Sequence, residues 1–306
     1  MYDLIIIGGG PAGISAGVYA ARKKLNTLFI SSDFGGQSTV SEGIENWIGT
    51  TKLSGLELAN NLKAHLLAYA GEAVKINENE KALDIIKIEE GFEVKTDKSQ
   101  YQTKSILIAT GSHRRKLEIP GAAELEHKGL TYCASCDGPL YRNQDVAVVG
   151  GGNAALESTA QLLAYCKSVT ILNRTKNLRG DEITLEKLKT NSKLKIIENA
   201  IITGINGTSV VSGLNYQDSI SKKETSLSVT GIFVEIGLLP TTEFAKNIIK
   251  LNQYNQIPVN PKNQRTETLG VWAAGDCTDG LYHQNNIAAG DAVKALEDIY
   301  MYIKTI

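Results

Sequence analysis

Two cysteines and an aspartate form the group of residues best suited to covalent chemistry. Cys133 and Cys136 are separated by two residues, and Asp137 follows directly. Two thiols at this spacing can close a small disulfide ring, and a neighbouring carboxyl group can move the proton that thiol–disulfide exchange requires. The pattern therefore predicts a redox-active dithiol, with these three residues as its catalytic group.

A structural metal site is the alternative use of a Cys-x-x-Cys pair. It would need two more ligands, usually a second such pair or two spaced histidines. The remaining cysteines, Cys166 and Cys277, stand alone, and the four histidines form no spaced pair. We therefore predict no metal. Cys166 lies in an apolar helical pattern and is expected to be a buried small residue, whereas Cys277 has no assigned role.

Two glycine-rich turns lie before and after the dithiol in the chain. Residues 3–10 are echoed by residues 145–152, and each copy reads as an apolar strand, a glycine turn and a helix. A single turn of this kind fits any α/β protein, but two in the same context predict two dinucleotide sites. The fingerprint positions are Gly8, Gly10 and Gly13 in the first copy, and Gly150, Gly152 and Ala155 in the second.

Two dinucleotides suggest a flavin that stays bound and a nicotinamide that binds and dissociates in each cycle. The residues after the second strand of the second copy distinguish the two nicotinamides, because an acid there binds the ribose of NAD and an arginine binds the 2′-phosphate of NADP. Residues 173–179 include Arg174, Lys176 and Arg179 and no acid. This composition favours NADPH; the alternative is an ordinary solvated basic loop.

Hydrophobic periodicity predicts an α/β fold with two Rossmann-like units, since each strand–turn–helix copy leads to a second strand. No low-complexity linker is present, so we expect short crossovers near residues 112–116 and 240–245. The predicted helices span residues 14–24, 55–70, 155–165, 184–195 and 287–303, and the predicted β segments span residues 27–30, 85–96, 101–108, 169–172, 201–234 and 270–276.

Length and charge exclude several classes of protein. The 306 residues suggest about two domains. A net charge of −1 argues against binding nucleic acid or an anionic membrane through bulk charge. Residues 4–21 are uncharged and long enough to span a bilayer, but their glycine turn would break the helix, and no basic residue precedes them as in a signal peptide. We expect a cytoplasmic protein, in which structural disulfides are uncommon.

Beyond these turns, longer motifs give the chain a family resemblance. They are Gly35-Gly36-Gln37 and residues 44–47, 132–140, 231–237 and 273–277. With them the chain resembles the low-molecular-weight bacterial thioredoxin reductases and, equally, the flavoprotein part of alkyl hydroperoxide reductase, over essentially its full length. The resemblance implies an FAD domain made of residues 1–114 and 243–306. A domain for NAD(P)H, residues 115–242, would be inserted in it and carry the dithiol.

The resemblance also implies which residues bind the cofactors. FAD would be held by Gly8, Gly10, Pro11, Ala12, Gly13, Ser31, Gly35, Gly36, Gln37, Asn46, Ala109, Thr110, Gly111, Gly275, Asp276, His283, Gln284 and Asn285. NADPH would be held by Gly150, Gly152, Asn153, Ala154, Arg174 and Arg179.

By the same resemblance, Cys136 forms the thiolate beside the flavin, Cys133 attacks the disulfide of a thioredoxin-like or glutaredoxin-like partner, and Asp137 is the acid. Rotation of the two domains would present the flavin to each reaction partner in turn. A homodimer is expected on the same basis.

Two departures from the family pattern leave alternatives open. Thioredoxin reductases usually carry His-Arg-Arg where this chain has Asn173-Arg174-Thr175, which weakens the preference for NADPH and keeps NADH possible. The residues of the later motifs, Gly-Ile-Phe-Val and Gly-Asp-Cys-Thr, are closer to those of the hydroperoxide reductase flavoprotein. The N-terminal thioredoxin-like domain of that protein has no counterpart here, because the fingerprint begins at Gly8. We therefore expect the disulfide that is reduced to lie on another molecule.

That partner would be a thioredoxin-like or glutaredoxin-like protein, or the adaptor of a peroxidase. The intact second glycine turn counts against ferredoxin as the electron donor. A flavoprotein redox sensor, or a zinc-stapled binding module, is the alternative that is not an enzyme.

Overall fold

The structure is a computed structural model that describes residues 1–41 and 43–305. The helices are α1 Pro11–Arg22, α2 Gly55–Ala70, α3 Ala134–Asp137, α4 Asn153–Tyr165, α5 Glu182–Lys189 and α6 Asn285–Thr305. Short 3-10 helices cover Gly36–Val40, Gly138–Tyr141 and Glu243–Ala245.

The strands of the first half are β1 Tyr2–Ile7, β2 Thr27–Ser31, β3 Val74–Glu78, β4 Ala82–Ile88, β5 Gly91–Thr96, β6 Gln100–Ile108, β7 Ser112–Arg114, β8 Leu130–Thr131 and β9 Asp145–Val149. Those of the second half are β10 Ser168–Leu172, β11 Leu194–Ile197, β12 Ala200–Gly207, β13 Val211–Asp218, β14 Glu224–Leu227, β15 Gly231–Val234, β16 Leu238–Pro240 and β17 Val271–Ala273.

The chain divides into two compact units. The outer unit comprises Met1–His113 and Leu239–Ile306, and the inserted unit comprises Arg114–Leu238. The crossings lie within β7 and β16. The second crossing precedes the boundary expected at residue 243, because the Thr241 N–H donates to Gly111 O at 3.0 Å and ties this segment to the outer unit.

The outer unit is built on a parallel sheet with strand order β3-β2-β1-β6-β17. The hairpin β4–β5 pairs antiparallel with the first half of β6. Leu4 and Ile6 pack on one face of the sheet with residues of α1 and α6, whereas Ile5 and Ile7 pack on the other. Because both faces are covered, β1 is apolar at every position from Leu4 onward.

The inserted unit has a second parallel sheet with strand order β11-β10-β9-β15-β8. Strand order reverses between β9 and β15, the position at which doubly wound sheets bind ligands. An antiparallel sheet β12-β13-β14 completes the unit. Both units are Rossmann-like, as the sequence predicted.

Two of the predicted elements differ from the structure. The helix predicted for residues 184–195 is α5, which ends at Lys189, and β11 follows it. α5 begins earlier because the Asp181 carboxylate accepts from Thr184 N at 2.8 Å and caps the helix. The β segment predicted for residues 85–96 is the hairpin β4–β5, which turns at residues 89–90 and continues at Gly91, where φ is +128°.

The uncharged N-terminal stretch is shared between a strand and a helix. β1 ends at Ile7 and α1 begins at Pro11, so the glycine turn interrupts the stretch. Within residues 1–41 and 43–305, no helix is both long and apolar enough to cross a bilayer.

Candidate functional site

A cleft with about 960 Å³ of space, partly open to solvent, lies at the carboxyl ends of the outer unit's parallel strands. Loops that follow β1, β2, β6 and β17 form its walls. The predicted FAD residues that line it are Gly8, Gly10, Pro11, Ala12, Ser31, Gly36, Gln37, Ala109, Thr110, Gly111, Gly275, Asp276 and Asn285. One cleft therefore gathers residues from five separate segments of the chain.

The three fingerprint glycines of the first turn have different surroundings. Gly8 has φ +120°, and a Cβ there would lie 2.2 Å from Ala109 O. A Cβ on Gly13 would lie 1.8 Å from Gly8 O, so α1 packs directly on the turn. A Cβ on Gly10, in contrast, would meet nothing within 4 Å. Gly8 and Gly13 are required by the fold, whereas Gly10 leaves open space in front of the helix.

These surroundings fit a dinucleotide. α1 begins directly after Gly10, and no side chain caps its first turn. Its backbone N–H groups and positive dipole end are therefore free to bind an anion such as a pyrophosphate. A side chain at Gly10 would fill the space through which that anion approaches.

Several predicted FAD residues lie beside the cleft rather than in its lining. Gly35 has φ +98° and donates its N–H to Gly9 O at 2.8 Å. Asn46 Nδ2 donates to Gln284 Oε1 at 3.0 Å, so these two side chains bond each other. His283 Nδ1 lies 3.4 Å from Asp276 Oδ1.

Other residues line the cleft but were missed by the sequence analysis. They are Ser32, Asp33, Ser38, Glu80, Lys81, Ala82, Thr241 and Phe244. Asp33 had a usable signal, because an acid about 20 residues after the last fingerprint glycine commonly binds a ribose hydroxyl. The others come from distant segments whose meeting has no local signature.

The second glycine turn lies in the inserted unit between β9 and α4. Gly150 has φ +147°, and a Cβ there would lie 2.2 Å from Glu235 O. A Cβ on Gly152 would meet nothing within 4 Å, and no side chain caps α4. Asn153 Oδ1 accepts from the Asp181 N–H at 2.7 Å, while Ala154 is exposed. This turn repeats the features of the first and fits a second dinucleotide.

The loop after β10 folds back over this turn. The Arg179 N–H donates to Gly151 O at 2.6 Å. Asn173 is buried, and its Nδ2 donates to Thr175 O at 2.9 Å and to Asn177 O at 3.0 Å. Asn173 therefore shapes its own loop. Arg174 and Arg179 are exposed and have no ion-pair partner among the residues that the structure describes.

A buried carboxyl group lies where strand order reverses. Glu235 follows β15, and its Oε1 accepts from Ser158 Oγ at 2.7 Å while Oε2 lies 3.4 Å from Arg114 Nη1. Burial raises the pKa of Glu235, and Arg114 and Ser158 oppose that effect.

The dithiol forms a disulfide in the inserted unit. Cys133 and Cys136 are bonded across the start of α3, and Cys136 N donates to Cys133 Sγ at 3.2 Å. Cys136 is exposed, whereas Cys133 is partly buried. The Thr131 hydroxyl donates to Asp137 Oδ2, so the carboxyl group has a fixed neighbour beside the disulfide.

The other two cysteines are buried thiols. Burial raises the pKa of Cys166 to about 11 and that of Cys277 to about 12. Cys277 Sγ lies 3.4 Å from Ala274 O and 3.5 Å from Ile108 O, within the core of the outer unit. Cys166 is thus the buried small residue that the sequence predicted, and Cys277 is a second one. Across residues 1–41 and 43–305, no three side chains of His, Cys, Asp or Glu are grouped to hold a metal.

Comparison with known proteins identifies the family. The family model described as pyridine nucleotide-disulphide oxidoreductase matches residues 2–292. The chain belongs to this family. An oxidoreductase family that joins a pyridine nucleotide to disulfide chemistry agrees with the two glycine turns and with the Cys133–Cys136 bond.

Individual members of the family are similar along almost the whole chain. A component of the alkyl hydroperoxide reductase of Staphylococcus aureus is 38% identical over 303 residues, which cover 99% of this chain and 59% of that protein. A protein named NADH dehydrogenase from Ferdinandcohnia aciditolerans is 34% identical over 306 residues, covering 99% of this chain and 57% of its own. This chain thus spans little more than half the length of these relatives.

Solved structures of the family share the fold. The crystal structure of thioredoxin reductase from Streptococcus pyogenes MGAS5005 superposes with a TM-score of 0.90 at 31% identity, covering 100% of this chain and 99% of that one. The predicted resemblance to both kinds of pyridine nucleotide-disulphide oxidoreductase is confirmed, and so is the predicted fold class.

Proposed function

We propose that this chain is a flavin-dependent disulfide reductase. It would take electron pairs from NADPH and pass them through FAD and the Cys133–Cys136 dithiol to the disulfide of a thioredoxin-like protein. The observation that carries the proposal is the closed Cys133–Cys136 disulfide, with Cys136 exposed, directly before a nucleotide-binding fold. The likeness to a thioredoxin reductase structure supports it.

FAD would lie in the cleft of the outer unit. The first glycine turn and the start of α1 would hold its pyrophosphate, and Asp33 would accept a ribose hydroxyl. When bound, FAD accepts a hydride from a reduced nicotinamide and delivers an electron pair to a disulfide. Gly36, Gln37, Gly275 and Asp276 would complete the walls of its site.

The chain's own residues would carry out the thiol chemistry. Two electrons and two protons convert the Cys133–Cys136 disulfide into two thiols. The Cys133 thiolate would attack one sulfur of the partner disulfide, and the other partner sulfur would leave as a thiolate that takes a proton from Asp137. Cys136 would then displace the partner from Cys133 and restore the disulfide.

NADPH would bind at the second glycine turn. Its pyrophosphate would approach Gly152 and the uncapped start of α4, with Asn153 and Ala154 beside it. Arg174 and Arg179 lack acidic partners in the described part of the chain, so their charges are free to attract a 2′-phosphate.

A second candidate uses NADH and serves a separate adaptor or peroxiredoxin, as a flavoprotein of the hydroperoxide reductase type. Its support is the 38% identity to the alkyl hydroperoxide reductase component of Staphylococcus aureus and the relative named NADH dehydrogenase. The run Asn173-Arg174-Thr175 also favours it, because the related reductases usually carry His-Arg-Arg there, so one arginine that would bind a 2′-phosphate is missing. A thioredoxin-like or glutaredoxin-like partner and a homodimer are part of the first proposal only.

Anaerobic stopped-flow titration tests both candidates. The purified protein should be yellow, and NADPH should bleach the flavin absorbance faster than NADH does. The count of reactive thiols should rise by two, and the colour should return when an oxidised thioredoxin is added. Faster bleaching by NADH would select the second candidate. A colourless protein that takes up no flavin on reconstitution, or thiols that do not respond to either nucleotide, would contradict both.

A further inference from the structure

Thr131 links the two chemical groups of the dithiol segment. It is the last residue of β8, and it is buried. The Cys133 N–H donates to Thr131 Oγ1 at 3.4 Å, and the Thr131 hydroxyl donates to Asp137 Oδ2. A hydroxyl can accept one hydrogen bond while it donates another, so Thr131 Oγ1 bonds both groups at once. The Thr131 hydroxyl therefore connects the Asp137 carboxyl group to the Cys133 main chain through two hydrogen bonds.

The main chain of α3 places Asp137 but does not orient its side chain. The Asp137 N–H donates to Cys133 O at 3.1 Å, which closes the helical turn around the disulfide. Rotation about the side-chain bonds of Asp137 stays possible under this constraint. Among the residues described, Thr131 is the one hydrogen-bond partner of the Asp137 carboxyl group, and no cation pairs with it.

We propose that Thr131 is a positioning residue for proton transfer at the dithiol. It holds the Asp137 carboxyl group where the thiols of Cys133 and Cys136 exchange protons with it. This inference rests on the proposed function, in which Asp137 is the acid of disulfide exchange. Thr131 is buried and would therefore act through Asp137.

The exchange balances with Asp137 as the carrier of each proton. The Cys133 thiol gives its proton to Asp137 and attacks the partner disulfide, forming a mixed disulfide and releasing one partner thiolate. That thiolate takes the proton from Asp137. The Cys136 thiol then gives its proton to Asp137 and attacks Cys133 Sγ, and the second partner sulfur leaves and takes this proton. The partner becomes a dithiol and the Cys133–Cys136 disulfide forms again.

Three variants distinguish the effect of losing the Thr131 hydroxyl from the effect of changing the shape of its side chain. Thr131→Val keeps a β-branched side chain in a buried strand position but removes the donor. Thr131→Ser keeps the donor and removes a methyl group. Ser135→Ala is the matched control, because Ser135 lies between the two cysteines and its hydroxyl donates to Gln161 Oε1 at 2.9 Å instead of to Asp137.

The test is thiol exchange by the full-length protein without any nucleotide. Each variant is reduced with a phosphine, which is then removed. The reduced protein is mixed with dithiobis(nitrobenzoate) in a stopped-flow instrument, and the rate of thiol exchange is measured at a series of pH values. Thr131→Val should slow exchange about five-fold at neutral pH, the effect of losing one hydrogen bond of ordinary strength. The difference should vanish at alkaline pH, where the thiols ionise without help. Thr131→Ser and Ser135→Ala should follow the unchanged protein.

A double variant tests whether Thr131 affects the rate of thiol exchange through Asp137. Asp137→Asn should slow exchange at least as much as Thr131→Val does, and adding Thr131→Val to it should slow exchange no further, because Thr131 acts only through the Asp137 carboxyl group. Equal rates for Thr131→Val and the unchanged protein at every pH would overturn the proposal, as would a Thr131→Ser variant as slow as Thr131→Val. Neither result depends on flavin or nucleotide, so a failure of NADPH to reduce the protein would contradict the proposed function alone.

Discussion

At the scale of single residues, the two sulfurs of the disulfide are not equivalent. Cys136 is exposed and Cys133 is partly buried, yet the family resemblance assigns attack on the partner to Cys133. Cys133 is the N-cap residue of the short helix α3, and its Sγ accepts the Cys136 N–H at 3.2 Å, a contact that favours a thiolate. The chemical environment therefore favours Cys133 as the nucleophile, although its exposure is smaller.

Replacement of each cysteine by serine decides between them. Cys136→Ser should leave Cys133 able to attack but unable to release the partner, so a mixed disulfide with oxidised thioredoxin accumulates. Turnover should be lost, while bleaching of the flavin by NADPH stays intact. Mass spectrometry of the non-reduced protein measures the trapped complex, and Cys166→Ser serves as the control for a buried cysteine. Trapping by Cys133→Ser instead would reverse the two roles.

Cys277 makes a separate prediction about stability and pH. Its folded-state pKa is raised from 9.0 to about 12 by burial. Above pH 9 the unfolded chain releases this proton while the folded chain keeps it, so the fold loses stability as pH rises from 9 towards 12. From pH 8 to pH 10 this thiol should cost about 1.4 kcal/mol of unfolding free energy.

Urea unfolding of the unchanged protein and of Cys277→Ala at both pH values measures that cost. The unchanged protein should lose about 1.4 kcal/mol more than the variant does. Tyrosine and lysine groups titrate in both proteins, so the difference isolates the thiol. Identical losses in the two proteins would mean that Cys277 ionises in the folded state as easily as in the unfolded one.

At the scale of elements, the first glycine turn separates binding from folding. Gly10→Ala should fold normally, because Gly10 has an ordinary extended backbone and its Cβ would meet nothing within 4 Å. It should lose its flavin, since the methyl group occupies the approach to α1. Gly13→Ala should destabilise the outer unit by about 2 kcal/mol, because its Cβ would collide with Gly8 O and force α1 away from β1.

Flavin absorbance per protein and urea unfolding of the flavin-free proteins measure the two effects. Gly152→Ala, at the equivalent position of the second turn, is the matched control that should keep flavin and weaken nucleotide binding. Wild-type flavin content in Gly10→Ala would show that the dinucleotide does not approach this turn.

How much the sequence could predict also depends on the element. Each glycine turn was readable because its strand, turn and helix are adjacent in the chain. The contacts that exclude a side chain at Gly8 and Gly150 were not readable, because they come from Ala109 and Glu235 in distant segments. The end of α5 was not readable, because Leu194, Ile196 and Ile197 pair with β10 in the sheet, a tertiary contact that outweighs the helical pattern. The cleft residues Lys81 and Phe244 were missed for the same reason, since only the folded chain brings them to the cleft.

At the scale of the whole molecule, each unit has a hydrophobic core of its own. The core of the outer unit combines residues from both of its chain segments, including Leu4 and Trp272. The core of the inserted unit uses residues 117–236 alone. A continuous segment with its own core is expected to fold without the rest of the chain.

The inserted unit expressed alone, residues 114–238, should therefore fold cooperatively and bind NADPH. Both the second glycine turn and the loop with Arg174 and Arg179 lie inside this segment, so no residue of the proposed nucleotide site is lost. Thermal unfolding and titration of nucleotide fluorescence measure the two properties, and Gly152→Ala in the same fragment should fold but bind weakly. The fragment should be colourless, because the proposed flavin site is in the outer unit. A folded fragment with no affinity for NADPH, at concentrations where the full chain binds it, would place part of the nucleotide site outside residues 114–238.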